Sequence, residues 1–264
     1  MFMRTILPLS IFCLSLILFS CAEETDHSGY VDDNEALVVP LNEVEGNSRT
    51  YNFDFKILKE PEKAAYYEPT SIPVALKSIP KEMLDVINLP NISEFPFIPG
   101  TSKANIVTFW NAYNTLIFQI QISYFENSEE YEANNQDFFI ISATQLADNP
   151  FVDNLDSEND PIDKWRIDFN VDGRDENPDE LVIYRELELT ADLPLFYKDL
   201  FPNWRTMYPY YSYDESKTPS IIHTSTGSKM YYAWYDGVLF QIGYKFDDEA
   251  IDMESFVRQI ILGS

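Results

Sequence analysis

Residues 229–246 constrain the fold most strongly, because they predict a β-hairpin near the end of the chain. Two aromatic-rich runs, KMYYAWY and VLFQIGYKF, flank the dipeptide Asp236-Gly237. Both central residues of a type I′ turn need positive φ, and Asp-Gly suits that requirement. After the hairpin, Asp248 or Asp252 can cap a helix. The apolar stripe of this helix consists of Ile251, Phe256, Ile260 and Ile261.

A second hairpin is predicted between residues 106 and 125. The run LIFQIQISYF alternates, so Gln119 and Gln121 share one face of a strand. The opposite face carries Leu116, Phe118, Ile120 and Ile122. A single helix over residues 107–125 is the competing interpretation, because apolar residues also recur there at helical spacing. The β-branched and aromatic content favours strands.

Other segments complete the predicted architecture. Further strands are predicted at residues 51–58, 138–144, 181–189 and 221–224. One short helix is predicted to begin at Pro80, and another is predicted at residues 193–201. The fold class is therefore predicted to be α+β, a mostly antiparallel sheet with a few short helices, including a C-terminal helix packed on a hairpin. Residues 49–264 would form a single domain, with a subdivision near residues 150–180 left open.

The order of elements at the end of the chain resembles a known arrangement. A strand, an Asp-Gly turn, a second strand and a closing helix, MESFVRQIIL, follow one another within residues 179–262. This order is similar to the ends of uncharacterised C-terminal domains in some bacterial lipoproteins and anti-sigma-type membrane proteins. The resemblance rests on the pattern of elements and implies no activity.

The N-terminus predicts export and a lipid anchor. Arg4 supplies one positive charge, an uncharged apolar run follows, and the run ends in LFSC at Cys21. This run is too short to be a dependable membrane-spanning helix, which needs roughly 20 apolar residues. The pattern resembles a bacterial lipoprotein signal, which implies removal of residues 1–20 and attachment of a lipid such as palmitate to Cys21. An ordinary secretory signal and an uncleaved anchor are the alternatives.

The location of the protein follows from that anchor. Residues 21–48 are polar and acidic, so they are predicted to be a tether that joins the lipid to the domain. The protein would belong to the cell envelope, held at a cell membrane or an outer membrane and facing outside the cytoplasm. The sequence leaves open whether the host has one membrane or two.

Composition excludes some functions. The chain has 44 acidic and 18 basic residues, which gives a net charge of -26. Nucleic acid is excluded as a partner, because phosphate backbones bind basic surfaces. Cys13 would leave with the signal and Cys21 would carry the lipid, so no disulfide is predicted. His27 and His223 have no metal-ligand partner at useful spacing, and motifs for nucleophilic, phosphate-binding or zinc-protease chemistry are lacking.

One acidic segment has the spacing of a calcium loop. The stretch DFNVDGRDENPDE satisfies the pattern D-x-[DN]-x-[DN]-G, in which alternate side chains point toward one centre and glycine permits a tight turn. The side-chain ligands would be Asp168, Asn170 and Asp172, the carbonyl would come from Arg174, and Glu176 or Asp179 would close the shell.

This loop departs from the EF-hand. Its twelfth position is Asp179 rather than Glu, and the preceding WRIDF predicts a strand rather than a helix. The segment looks more like the strand-loop-strand calcium motif of FG-GAP repeats, with residues 175–178 inserted before the closing acid. It occurs once, whereas a propeller needs several copies. Calcium in a structural role is therefore the predicted cofactor, and a solvated acidic turn is the alternative.

The predicted function is a non-enzymatic binding or interaction module. Its aromatic residues serve either the strand cores or an exposed row for a glycan or apolar ligand. They are Tyr208, Tyr210, Tyr211 and Tyr213, followed by Tyr231, Tyr232, Trp234 and Tyr235. A hydrolase with two acids is a further alternative, which predicts a cleft that holds a carboxyl with a raised pKa. The sequence names no catalytic residue and no protein partner.

Overall fold

The computed structural model describes residues 37–47, 64–110, 115–127, 131–146, 149, 185–199 and 207–263. These residues form twelve strands, three short α-helices and one 3-10 turn, Ile92–Glu94. The strands are β1 Glu43–Val44, β2 Gly46–Asn47, β3 Ala64–Tyr67, β4 Thr101–Trp110, β5 Leu116–Phe125, β6 Phe138–Gln145, β7 Arg185–Thr190, β8 Leu193–Lys198, β9 Met207–Tyr213, β10 Ile221–Gly227, β11 Lys229–Tyr235 and β12 Val238–Lys245. The helices are α1 Ile72–Ser78, α2 Lys81–Leu84 and α3 Met253–Leu262.

The strands belong to two sheets. Nine of them form a large sheet in the order β1-β3-β4-β5-β6-β12-β11-β8-β7, in which all neighbours are antiparallel. The other three form a small sheet in the order β2-β10-β9. There β10 pairs antiparallel with β9 and parallel with β2, so β9 is an edge strand among the described residues.

Both faces of the large sheet are covered, and β5 shows how one strand serves two cores. Phe118, Ile120 and Ile122 face the helices, together with the buried residues of α1 and α3. Ile117 and Phe125 face the opposite way, toward Tyr208 and its neighbours in the small sheet. Since successive strand residues point to opposite faces, the even positions of β5 serve one core and the odd positions serve the other.

Helix α3 closes the core on the helical face. The side chain of Asp252 accepts a hydrogen bond from Ser255 N at 3.2 Å, which caps the N-terminus of the helix. Gly263 ends the helix with φ of 74°, a left-handed conformation that favours glycine. The buried residues of the helix are Met253, Phe256, Val257, Ile260 and Ile261. The prediction of a capped C-terminal helix is confirmed.

Both predicted hairpins are confirmed. β11 and β12 pair antiparallel through Tyr235 and Val238, and the turn residues Asp236 and Gly237 have φ of 46° and 79°. β4 and β5 pair over ten residues each, so the single helix considered for residues 107–125 is wrong. Strands at residues 138–144 and 221–224 are confirmed as parts of β6 and β10.

Two predictions are wrong. The α+β fold class is overturned, because the described residues form a β-rich fold of mostly antiparallel sheet with three short helices. The helix predicted at residues 193–201 is also wrong, because Leu193–Lys198 form strand β8, which pairs with β7 and β11. Leu193, Leu195 and Tyr197 then share one face of the sheet. Their spacing of two residues is that of a strand, and it outweighs the helical spacing of the apolar residues in this segment.

Part of the predicted tether packs with the domain. Leu37 is buried in the core on the helical face, and residues 43–47 contribute strands β1 and β2. The strand predicted at residues 51–58 lies outside the described residues.

Candidate functional site

A buried glutamine attaches the small sheet to the large one. Gln121 on β5 accepts a hydrogen bond from Tyr211 N at 2.7 Å through its Oε1. Its Nε2 donates to Tyr211 O at 2.9 Å and to Ser123 Oγ at 3.1 Å. Because Tyr211 lies on the edge strand β9, this amide pairs with the free edge as a neighbouring strand would. Strand β9 is thereby fixed over β5.

Tyr131 continues the pairing along the same edge. Tyr213 N donates to Tyr131 O at 3.3 Å. The hydroxyl of Tyr131 donates to Asn105 Oδ1 at 3.0 Å and lies 3.1 Å from Ser123 Oγ. Burial raises the pKa of Tyr131 and outweighs the hydrogen bond with Ser123, which lowers it. The inner end of the small sheet therefore rests on a neutral, hydrogen-bonded network.

A cleft of about 590 Å³ opens beside this network. It lies between the turn that joins β9 to β10, the start of β4 and the segment at Tyr131. The lining residues are Thr101, Lys103, Tyr131, Glu132, Ser212, Tyr213, Asp214, Glu215, Ser216, Lys217, Ser220 and Ile222. Within this set, Ile222 is the one aliphatic side chain, so the cleft is mainly polar.

The turn between β9 and β10 is organised by Asp214. Its Oδ1 accepts from Ser216 N at 3.0 Å and from Ser216 Oγ at 2.6 Å. Its Oδ2 lies 2.8 Å from Lys217 Nζ. Asp214 N also donates to Ser220 O at 2.9 Å, which closes the turn. An Asp that bonds the residue two positions on is a common device for holding such a turn.

These contacts fix the charge of Asp214. The hydrogen bond from Lys217, followed by those from Ser216, lowers the pKa of Asp214 to about 2. Asp214 in turn raises the pKa of Lys217. A carboxyl that stays ionised over the physiological range is a poor general acid, since it has no proton to donate. Asp214 therefore serves as a hydrogen-bond acceptor and a structural charge.

Tyr213 gives the cleft an aromatic wall. The residue is half-buried and stands at the end of β9. Burial, together with a hydrogen bond between its hydroxyl and Glu68, raises the pKa of Tyr213 to about 12. The hydroxyl thus stays protonated, and the ring offers an apolar face beside polar side chains.

The remaining aromatic residues of the predicted row mostly lie in the cores. Tyr208, Tyr210 and Tyr211 are buried between the sheets, and Tyr208 donates a hydrogen bond to Gln241 O at 3.2 Å. Tyr231 and Tyr232 are also buried, while Trp234 and Tyr235 are half-buried. The row is accordingly part of the two cores, and of its members Tyr213 lines the cleft.

A carboxyl with a raised pKa occurs elsewhere. Burial, and then the neighbouring charge of Glu126, raises the pKa of Asp137 against the opposing effect of Lys245. Asp137 directly precedes β6 and does not line the cleft. The raised pKa and the cleft that an acid-pair hydrolase requires are thus separated in the described structure.

Several predicted site residues lie outside the described residues. Cys21, the predicted lipidation site, is one of them, and His27, for which no role is predicted, also lies outside. The calcium ligands Asp168, Asn170, Asp172, Arg174, Glu176 and Asp179 are also outside. His223 is described: it is half-buried on β10, with its ring 4.9 Å from that of Tyr211. In the described ranges, no three His, Cys, Asp or Glu side chains are grouped closely enough to hold a metal ion.

The helices and the comparisons add two negative findings. Among the residues that the structure describes, no helix has the length and apolarity to cross a membrane. Comparison of the chain with protein-family models, curated proteins and solved structures finds no match.

Sequence reasoning missed this cleft. Its walls come from β4, the Tyr131 segment and the turn after β9, which are distant in sequence. The run Asp214-Glu215-Ser216-Lys217 has turn chemistry that predicts the loop itself. Nothing in the sequence indicates that Lys103 and Tyr131 stand beside it.

Proposed function

We propose that this protein is a lipid-anchored, extracytoplasmic and non-catalytic binding module, which takes a hydroxyl-rich ligand such as a glycan in the cleft between β4 and the β9–β10 turn. The observation that carries the proposal is the lining of the cleft. It combines the hydroxyls of Thr101, Ser212 and Ser220 with lysines, carboxylates and two tyrosines.

This lining favours a glycan over an apolar ligand. Sugars present hydroxyl groups that both donate and accept hydrogen bonds, and serine, threonine and carboxylate side chains match them. Sugar rings also present apolar faces, which the ring of Tyr213 can cover. An apolar ligand would instead need walls of aliphatic and aromatic side chains.

The position of β9 supports a preformed site. Because the amide of Gln121 holds the backbone of Tyr211, the neighbouring Tyr213 and the turn at Asp214 start from a fixed strand end. A rigid site loses less conformational freedom when it binds a ligand.

The electrostatics support binding rather than hydrolysis. Glycoside hydrolysis needs one carboxyl that is protonated near neutral pH, opposite a second carboxylate. Asp214 has a lowered pKa, and Asp137, whose pKa is raised, does not line the cleft. The acid-pair hydrolase therefore has less support than the binding module.

The anchor and the ion belong to the same proposal on sequence grounds. Cys21 would carry a lipid such as palmitate, which holds the protein at a cell membrane or an outer membrane. Calcium would bind at Asp168, Asn170 and Asp172 in a structural role, because neutralising crowded carboxylates orders a loop that repulsion otherwise opens.

The glycan proposal is tested by binding chitohexaose, cellohexaose and maltohexaose to the full chain, measured by saturation-transfer NMR. Lys103→Glu places a negative charge in the cleft, and Lys77→Glu is the control because Lys77 is an exposed lysine on α1. We expect Lys103→Glu to weaken binding about tenfold or more, which corresponds to one hydrogen bond to a charged group, and the control to leave it unchanged. The proposal would be contradicted if Lys103→Glu and Lys77→Glu bound an oligosaccharide equally well. It would also be contradicted if the original chain bound none of the three oligosaccharides.

The anchor is tested separately. Radiolabelled palmitate should be incorporated into the chain as expressed in a bacterial host, and Cys21→Ser should abolish incorporation. Incorporation that survives in Cys21→Ser would refute the anchor and leave the proposal for the cleft intact.

A further inference from the structure

One stretch of the helical layer contrasts with the charge of the whole chain. Residues 86–100, VINLPNISEFPFIPG, are named here the apolar loop. They contain a single charged residue, Glu94, whereas 23% of the chain is charged. In a protein with a net charge of -26, fifteen residues with one charge are a distinct surface.

The apolar loop exposes aliphatic side chains to solvent. Ile98 is 89% exposed, Ile92 is 50% exposed and Leu89 is 46% exposed. Phe95 and Phe97 between them are buried. The loop therefore divides its apolar residues between the core and the solvent, and burial in this domain does not account for Ile98.

The buried phenylalanines hold the loop in place. The rings of Phe95 and Phe97 stack with centroids 5.4 Å apart, and Phe95 lies 5.1 Å from Phe139 of β6. Nδ2 of Asn88 donates to Ile260 O of α3 at 3.2 Å. The outward side chains are thus presented from a fixed base.

The chain that comes from Cys21 enters the domain on the same face. Leu37 is buried in the core that contains Phe95, and Val38 N donates to Ser78 O at the end of α1. The side chain of Val38 is 67% exposed. Residues 22–36 separate Cys21 from Leu37, and even a fully extended chain of that length spans no more than about 60 Å. A lipid on Cys21 would therefore keep this face within reach of the bilayer.

We propose that the apolar loop is a membrane-docking surface, which lies on the neutral headgroup region of the bilayer with Ile92 and Ile98 inserted toward the acyl chains. This inference rests on the lipid anchor of the proposed function. Exposed aliphatic side chains enter the interfacial region favourably, and Glu94 is the single charge that the loop carries. The acidity of the chain disfavours contact with anionic lipid, so the lipid that the apolar loop contacts is neutral. Because the anchor would hold the domain at the membrane, the bilayer is the partner nearest to this face.

The test uses the lipidated full chain in phosphatidylcholine vesicles. The lipid blocks the thiol of Cys21, and Cys13 leaves with the signal, so Ile98→Cys introduces a single reactive thiol for an environment-sensitive fluorophore. Phospholipids brominated on their acyl chains quench a fluorophore that lies among them. Asp192→Cys is the matched control, because Asp192 is exposed in the turn between β7 and β8.

We expect brominated lipid to quench the label at position 98 by about twofold or more, and the label at position 192 to be unaffected. Ile92→Asp, added to Ile98→Cys, should reduce the quenching. Flotation of the protein with vesicles measures attachment through the lipid anchor independently of the fluorophore.

Each other outcome has a separate meaning. Protein that floats with an unquenched label at position 98 overturns the docking surface while the anchor stands. Protein that does not float overturns the anchor and the docking with it. Equal quenching at both positions shows no preferred face, and a label that responds to protein concentration rather than to brominated lipid assigns the surface to a second copy of the chain. Both of these results overturn the proposal.

Discussion

Replacing Gln121 with leucine should destabilise the domain far more than the same replacement of Gln119. Both residues lie on β5 and share one face. Gln121 bonds the backbone of Tyr211, so its loss leaves a buried N–H and a buried C=O without partners. Each such group costs about 1–3 kcal/mol. Since leucine recovers some apolar burial, the net loss in the free energy of unfolding is about 3 kcal/mol.

Gln119 is the matched control because its partners are side chains. It donates to Thr144 Oγ1 at 2.9 Å and accepts from the hydroxyl of Tyr211 at 3.2 Å. Gln119 is half-buried, and hydroxyl groups can turn toward other partners, so Gln119→Leu should cost about 1 kcal/mol.

Urea denaturation followed by circular dichroism measures both losses. For a domain of this size, about 3 kcal/mol corresponds to a fall in Tm of about 6–12 °C. Hydrogen exchange of the Tyr211 amide should also accelerate in Gln121→Leu. If Gln121→Leu and Gln119→Leu lower the free energy of unfolding equally, the hydrogen bonds between the Gln121 amide and the Tyr211 backbone do not hold β9 in place.

Three further predictions concern packing, charge and calcium. Gly243→Ala should cost about 2 kcal/mol in urea denaturation, because a Cβ there would lie 2.4 Å from the ring of Tyr208, and adding Tyr208→Leu should recover part of the loss. Burial alone would raise the pKa of Asp248, but hydrogen bonds from Lys229 and Tyr244 outweigh it and lower the pKa. Asp248 therefore contributes to the free energy of unfolding at pH values above its pKa in the unfolded chain. This contribution is lost as the pH falls through the lower pKa of the folded protein. Asp248→Asn should accordingly cost about 1 kcal/mol at neutral pH and progressively less below about pH 4. Calcium should raise Tm relative to chelator, and Asp172→Asn should abolish the rise.

Each of these predictions has an outcome that contradicts it. An unchanged stability of Gly243→Ala would mean that the ring of Tyr208 moves aside at no cost. A loss in Asp248→Asn that is constant with pH would point to packing rather than to charge. Equal melting of the original chain in millimolar calcium and in chelator would leave residues 168–179 as a solvated acidic turn.

The local part of the fold could be predicted from the sequence. Asp236-Gly237 specifies its own turn, and the alternation of β5 assigns Gln119 and Gln121 to the same face because each pattern depends on adjacent residues. The capping of α3 by Asp252 is likewise local.

The other elements and the cleft depend on contacts between residues that are distant in sequence. Residues 193–198 carry apolar side chains at spacings that suit a helix as well as a strand, and hydrogen bonding to β7 and β11 selects the strand. The cleft depends on the approach of Lys103, Tyr131 and Asp214, which no local pattern encodes. The aromatic run at residues 208–213 suited either strand cores or a ligand surface, and its first members are core residues because their side chains are buried between the two sheets.

The pairing of Gln121 and Tyr131 with β9 also has a consequence for solubility. An edge strand with free N–H and C=O groups is a template on which another chain can add a strand, and such additions lead to aggregation. Here one amide side chain and one bridging residue occupy that edge. Within the part of the chain that the structure describes, two residues rather than a further strand therefore block self-association at this edge.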